Sequence, residues 1–260
     1  MTQELLKATQ LSKYFRGVRA VDGIDFSLEE GRLVGLIGPN GAGKSTVFNL
    51  LSGAIKPTKG SILINGQDMT GRKADRFARM GVARTFQNIR LFKEMTVFEN
   101  VLFGFHMSTN RNLWQSLFGS ASYRRKENDI REQAEQLLFT FGLFDTRNEL
   151  AIHLSYGDQR RLEILRALAT KPKILFLDEP AAGMNPYEGQ QLVQLIEQLW
   201  KMYQLTVVLI EHDMNVVMRL CQEILVLDYG KLIFRGTPEE VRKNKQVRTA
   251  YLGGDFDAGA

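Results

Sequence analysis

Apolar residues fall along this chain in two rhythms. In the first and last thirds they come in short bursts of strand length. Leu33-Val34-Gly35-Leu36-Ile37 is apolar throughout, the mark of a strand buried on both faces; Ile174-Leu175-Phe176-Leu177 and residues 206–210 repeat it. Residues 224–227 and 231–235 form a last pair of strands around Asp228-Tyr229-Gly230. Asp25-Phe26-Ser27-Leu28 alternates polar and apolar, as a half-buried strand does. Residues 5–11 and 20–28 therefore read as strands joined through a turn at Arg16-Gly17, a small antiparallel sheet beside the 33–37 strand. Residues 57–60 are a turn, 61–64 a strand, Asn65-Gly66 a hairpin turn, and 82–86 a further strand.

Between residues 92 and 169 strand signals disappear. Val97, Val101, Leu102 and Phe105 share one helical face; Ile130, Ala134, Leu137, Leu138 and Phe141 share another. Residues 111–126 are polar and aromatic-rich with no clear period. After Leu154-Ser155-Tyr156-Gly157-Asp158-Gln159 a helical run continues through Leu168. A helix is predicted over 186–202, and Thr237-Pro238-Glu239-Glu240 is a capping box that opens a last one. The reading is a single α/β domain. Residues 1–91 and 170–252 form an α/β core with an antiparallel β subdomain, 92–169 form an inserted α-helical subdomain, and the small, acidic tail 253–260 is expected to be disordered.

Candidate chemistry clusters at strand ends. The 33–37 strand runs into Gly38-Pro39-Asn40-Gly41-Ala42-Gly43-Lys44-Ser45-Thr46, followed by Val47, Phe48, Leu50 and Leu51 at helical spacing. Strand, glycine loop, lysine and hydroxyl, then helix is the context of a phosphate-binding loop. Its glycines let N–H groups converge on an anion, and the helix start adds its positive dipole end. Lys44 suits the β- and γ-phosphates, and Ser45 offers a hydroxyl to Mg²⁺. The 174–177 strand ends in Asp178-Glu179, a carboxylate to hold Mg²⁺ and a second to polarise an attacking water. His212 follows the 206–210 strand, where it is either a structural histidine or one that reaches a γ-phosphate. Gln87, leaving its strand, can coordinate Mg²⁺ or the water. Ser155 and Gly157 open a helix, as a plain cap or a second anion site. Phe15 is either a base-stacking aromatic or a packing one.

Composition narrows the picture modestly. The 260 residues are 44% hydrophobic and 24% charged, enough for one large domain with a buried core. A net charge of +5 suits a polyanionic ligand, a membrane surface or nucleic acid and selects none. Arg72, Lys73, Arg76, Arg79, Arg84, Arg90 and Lys93 face a single acid, Asp75; without aromatics at stacking spacing, a solvated helix face is favoured over nucleic-acid binding. The single cysteine excludes an internal disulfide and fits a reducing compartment. The first ten residues lack a secretory-signal pattern, and no apolar run nears the ~18 residues of a membrane span, so any membrane role is expected from the water side.

Together these motifs resemble the ATP-binding cassette of ABC transporters, over nearly the whole chain. Residues Gly38 to Thr46 match its Walker A motif, 174–179 its Walker B motif, Gln87 its Q-loop, His212 its switch histidine and Phe15 its adenine-stacking aromatic. Leu154-Ser155-Tyr156-Gly157-Asp158 stands where the LSGGQ signature belongs. Thr85-Phe86-Gln87-Asn88-Ile89-Arg90-Leu91-Phe92 and Gln159-Arg160-Arg161-Leu162-Glu163-Ile164 are similar to the branched-chain amino acid importer cassettes, LivG type. The resemblance implies a P-loop NTPase (RecA-like) core and ATP hydrolysis with Mg²⁺ held by Ser45, Gln87 and Asp178. Glu179, His212, Lys44 and Gln87 would be catalytic. It implies a head-to-tail partner cassette whose nucleotide Ser155 and Gly157 serve, and two permease subunits. A substrate-binding protein would act indirectly, and the cassette would sit on the cytoplasmic face of the membrane with no nucleic acid involved. Tyr156, Asp158 and Asn185 depart from the family pattern. Cassettes for lipopolysaccharide export or urea and amide uptake, and DNA-associated ATPases, are the rival readings. The latter carry long coiled coils or zinc modules, and the stretch from Gln87 to Ser155 has neither sustained heptads nor cysteines.

Overall fold

The structure is a computed structural model that describes residues 4–108 and 121–251. The expected disordered tail and much of the 111–126 stretch lie outside the described residues. The apolar runs become the middle of a six-stranded sheet. In it β3 (Leu33–Ile37) lies between β9 (Glu223–Asp228) and β8 (Thr206–Ile210); β7 (Ile174–Asp178) and then β6 (Val82–Arg84) follow β8, and β10 (Lys231–Gly236) closes the far edge. All neighbours are parallel except β9 and β10. Every residue of β3, β7 and β8 is buried. Side chains alternate across the sheet, so each strand feeds two cores. Leu175, Leu177, Val207 and Leu209 join the larger helical core, whereas Ile174, Phe176, Val208 and Ile210 join the core beneath the second sheet.

That second sheet is antiparallel, in the order β2, β1, β4, β5. Its strands are Val18–Glu29, Glu4–Phe15, Lys59–Ile64 and Gln67–Asp68 respectively. Its two tight turns have positive φ at both central residues, Arg16 and Gly17, then Asn65 and Gly66, as two-residue hairpins require.

The helices are α1 (Lys44–Leu51), α2 (Ala74–Arg79), α3 (Val97–Ser108), α4 (Ala121–Thr140), α5 (Tyr156–Ala169), α6 (Pro186–Tyr203), α7 (Met214–Leu220), α8 (Pro238–Lys243) and α9 (Lys245–Tyr251). Helices α3 and α5 cross closely at Gly104, where a Cβ would stand 2.5 Å from the Arg166 carbonyl oxygen. None of these helices is long and apolar enough to cross a membrane.

Two expectations need correction. Strand β6 ends at Arg84 rather than at Phe86, because the carbonyls of Phe86 and Gln87 turn to the Arg160 guanidinium instead of a strand partner. The basic tract is also not one solvated face. Arg72, Lys73, Arg76 and Arg79 are exposed on or beside α2, but the Arg84 side chain is only 8% exposed.

Candidate functional site

Parallel strands bring their carboxyl ends to one edge, where an open α/β sheet places its ligands. β3 delivers the glycine loop there, β7 delivers Asp178 and Glu179, and β8 delivers Glu211 and His212. The loop is shaped by left-handed glycines. A Cβ on Gly43 (φ 102°) would stand 2.4 Å from the Ala20 carbonyl oxygen, so β2 presses directly on the loop. Gly41 (φ 83°) has open space where its Cβ would be, so its backbone is free to face an anion. Lys44 is buried, and its Nζ donates to the carbonyls of Gly38 (2.6 Å) and Pro39 (3.1 Å). Burial lowers its pKa, while Glu179 and Asp178 pull the other way. Ser45 is exposed at the start of α1, and Thr46 is half-buried.

Glu179 is the meeting point. Its Oε1 lies 2.7 Å from His212 Nε2, and its Oε2 accepts from Gln87 Nε2 at 3.3 Å. Its backbone is held at φ 47°, a left-handed conformation unusual for glutamate and typical of residues over-determined by a site. The Glu179 N–H donates to the Ile210 carbonyl, which ties β7 to β8 at this edge. Glu211 fixes the surroundings: its carboxylate accepts from the N–H groups of Ala181 (3.0 Å) and His212 (3.2 Å). Burial raises its pKa, and those two bonds oppose the shift.

Reading the sequence missed Arg84, Arg160, Glu163 and Glu211. Arg84 Nη2 donates to Asp178 Oδ2 at 2.8 Å, and both side chains are nearly buried. Arg160 on α5 is fully buried. Its Nη1 donates to the Phe86 carbonyl (2.6 Å) and Glu163 Oε2 (2.8 Å), and its Nη2 to the Gln87 carbonyl (2.9 Å). Glu163 Oε1 accepts from the Arg90 N–H, and Arg166 donates to the Arg90 carbonyl. Three side chains of one helix thus hold the backbone of residues 86–90. A charged residue at i, i+3 and i+6 of a helix marks one face; that spacing was the available signal.

Ser155 caps α5, accepting from the Asp158 N–H and donating to Asp158 Oδ2 at 2.9 Å. No hydrogen bond joins Ser155 or Gly157 to Lys44, Asp178 or Glu179 among the described residues. The signature faces the 182–185 segment instead. The Tyr156 ring stands against Gly183, and Gly157 leaves room beside the Glu188 carboxylate. Asn185 caps α6 in a capping box with Glu188. Phe15 is 46% exposed at the tip of the β1–β2 hairpin, with Lys13 Nζ 5.1 Å from its ring centroid. A cavity of about 590 Å³ separates the loop residues Asn40 and Gly41 from Gln246 and Thr249 of α9.

No cluster of three or more His, Cys, Asp or Glu side chains with metal-holding geometry occurs among the described residues. A magnesium ion fits this donor set nonetheless, because it needs only one or two protein oxygens when substrate phosphates supply the rest. A glycine loop with a buried lysine, an acidic strand end and a histidine around one glutamate define a nucleotide-hydrolysing cassette.

The comparisons agree. The family model for ABC transporter matches residues 21–182, and the model for branched-chain amino acid ATP-binding cassette transporter matches residues 231–257. The chain belongs to the ABC transporter family, as an ATP-binding cassette. The high-affinity branched-chain amino acid transport ATP-binding protein LivG of Escherichia coli (strain K12) is 46% identical over 253 residues, spanning 97% of this chain and 99% of that protein. MJ1267, an ATP-binding cassette of an ABC transporter solved in its ADP conformation, superposes with a TM-score of 0.82 at 32% identity, over 97% of this chain and 100% of that one. A dimeric post-hydrolysis state of the cassette MJ0796, bound to ADP and Pi, superposes with a TM-score of 0.75 at 26% identity, over 90% of this chain and 99% of that one.

Proposed function

We propose that this chain is the ATP-hydrolysing subunit of an importer for branched-chain amino acids. The observation that carries the reading is the convergence of Lys44, Asp178, Glu179, Gln87 and His212 at one sheet edge. The 231–257 match to branched-chain cassettes supports the cargo. Gly38, Pro39, Asn40, Gly41, Ala42 and Gly43 shape the loop that wraps the polyphosphate, and Thr46 adds a hydroxyl. Lys44 exchanges its two carbonyl partners for phosphate oxygens. Ser45 and Asp178, with Gln87, would hold magnesium, which would supply neutralisation of the polyphosphate charge. Glu179 accepts a proton from the attacking water at a carboxylate oxygen, while His212 holds that carboxylate and reaches toward the γ-phosphate. Phe15 stacks on the adenine.

Ser155 and Gly157 act on the nucleotide of a second cassette. Moving an open–closed equilibrium from 1:99 to 99:1 takes about 5.5 kcal/mol, and charge-assisted hydrogen bonds supply about 1.5–3 kcal/mol each. Two contacts at each of two sites suffice. Residues 92–169, the inserted helical part, pass the closure to two permease subunits. The cassette sits peripherally on the cytoplasmic face, and a substrate-binding protein delivers the amino acid from the other side.

The chemistry is tested with Glu179→Gln, expected to keep ATP affinity and lose turnover by about 10²–10⁴-fold; ordinary turnover would remove Glu179 as the base. The cargo is tested by reconstituting the cassette with its co-purifying membrane proteins in vesicles. ATP-dependent uptake of leucine, isoleucine or valine is expected, and uptake of none of them rejects the cargo.

A further inference from the structure

We infer that Arg84 is a positioning residue for the carboxylate that holds the divalent cation. The inference rests on the reading of Asp178 above and goes beyond it. Arg84 Nη2 donates to Asp178 Oδ2 at 2.8 Å. Its Nη1 donates to Asn49 Oδ1 at 2.6 Å and to Ser52 Oγ at 3.3 Å. The guanidinium stands 5.6 Å from the Phe48 ring centroid and 5.1 Å from that of Phe86. The Arg84 and Asp178 side chains are 8% and 6% exposed, so the pair is shielded from competing water. The Arg84 Nε is buried with no partner among the described residues.

The geometry matters because of what the two ends belong to. Asn49 and Ser52 stand on or at the end of α1, the helix that begins at Lys44 and Ser45. Asp178 ends β7. The proposed magnesium donors, Ser45 and Asp178, thus belong to two separate elements, and one planar cation joins those elements. Magnesium demands near-ideal octahedral placement, so the spacing of its donors decides how well it binds. The bridge engages Oδ2 of the Asp178 carboxylate. A guanidinium fork can hold a carboxylate on one side and an amide and a hydroxyl on the other; a lysine ammonium offers a point charge without that fixed geometry. Arg84 also lies three residues before Gln87, another proposed ligand.

The test uses the full chain in a Glu179→Gln background, so that nucleotide persists. Binding of a fluorescent ATP analogue is followed while Mg²⁺ is titrated, and bound Mn²⁺ is read by electron paramagnetic resonance. Arg84→Met is expected to raise the Mg²⁺ needed for half-saturation by about 10–100-fold, the usual effect of removing a partner of a metal ligand. Analogue affinity in EDTA is expected to stay at the parent value. Asn49→Leu keeps the Asp178 pair and removes the shorter of the two bonds to α1, leaving the one to Ser52; a smaller rise in the same direction is expected. An unchanged Mg²⁺ requirement in a folded Arg84→Met protein overturns the inference. If Arg84→Met does not fold, Arg84→Lys decides in the same way. Asp178→Asn serves as the separate control: if it leaves the Mg²⁺ requirement unchanged, the reading of Asp178 fails first.

Discussion

At the carboxyl edge of the sheet, Lys44, Arg84 and Asp178 are buried and each has its partners within the chain, whereas Ser155 and Tyr156 stand exposed at the start of α5. The first region is nearly finished as it folds. Lys44 occupies loop carbonyls, Asp178 is paired, and Glu179 holds both Gln87 and His212. In the second, Ser155 and Asp158 cap the helix with each other, Arg161 lies 3.6 Å from the Asp158 carboxylate, and the buried Gly157 stands beside the Glu188 carboxylate. Between the two runs the Arg160–Glu163–Arg166 face, which grips residues 86–90 from the signature helix. The difference teaches that the proposed phosphate site has its side chains gathered within one chain, whereas the proposed signature contacts are gathered only with their own helix and the 182–185 segment. The two regions are joined: the backbone that carries Gln87 is fastened to the helix that carries Ser155.

The sharpest way to break this comparison is at the fastening. Arg160→Met leaves Glu163 buried without its cation and two carbonyls without donors, so a loss of about 3–5 kcal/mol is expected by urea denaturation. A loss under about 1 kcal/mol would mean that the clamp is incidental. At the finished site, Lys44→Met should cost about 10–100-fold in ATP affinity by equilibrium binding, from the loss of charge-assisted bonds. Folding stability should change by less than about 1 kcal/mol, because the lysine's burial already opposes its charge.

At the signature the pattern should reverse. Ser155→Ala should cost about 1 kcal/mol of stability as a lost helix cap, while ATPase activity of the two-cassette assembly falls more than that cost accounts for. Equal losses in both would make Ser155 a cap and nothing more. A smaller effect concerns Glu211. Its folded pKa is raised, so the folded state binds the proton more tightly than the unfolded state. Its contribution is therefore favourable at acid pH and declines as pH rises from the ordinary carboxyl range through the raised value. Glu211→Gln should flatten that part of the melting-temperature profile; an unchanged slope would place the titration elsewhere. The least effect is expected at Cys221, where burial pushes the thiol up. It should resist iodoacetamide in the folded chain and react on unfolding, and fast labelling of native protein would show that the α7 end opens.

Much of this was readable because it is local. Glycines at fixed spacing, a lysine and a hydroxyl name a phosphate loop wherever they follow a buried strand, and an acidic pair after another apolar run names its counterpart. The alternation at residues 25–28 of β2 and the apolar helical face of α4 were legible for the same reason. Arg84 was not. In the chain it is one basic residue among several and reads as solvated; only the pairing of β6 with β7 sets it beside Asp178, ninety-four positions away. Arg160 likewise looks like any charge following a signature, and only the packing of α5 against the 86–90 segment buries it.

The sequence by itself determined the period of each element and the chemistry at each strand end, because hydrophobic spacing and backbone freedom act over a few residues. Tertiary structure alone decided which charges are buried and which residue each one meets. A guanidinium costs little in water and much in a core, so its role is set by the neighbours that the chain brings from far away.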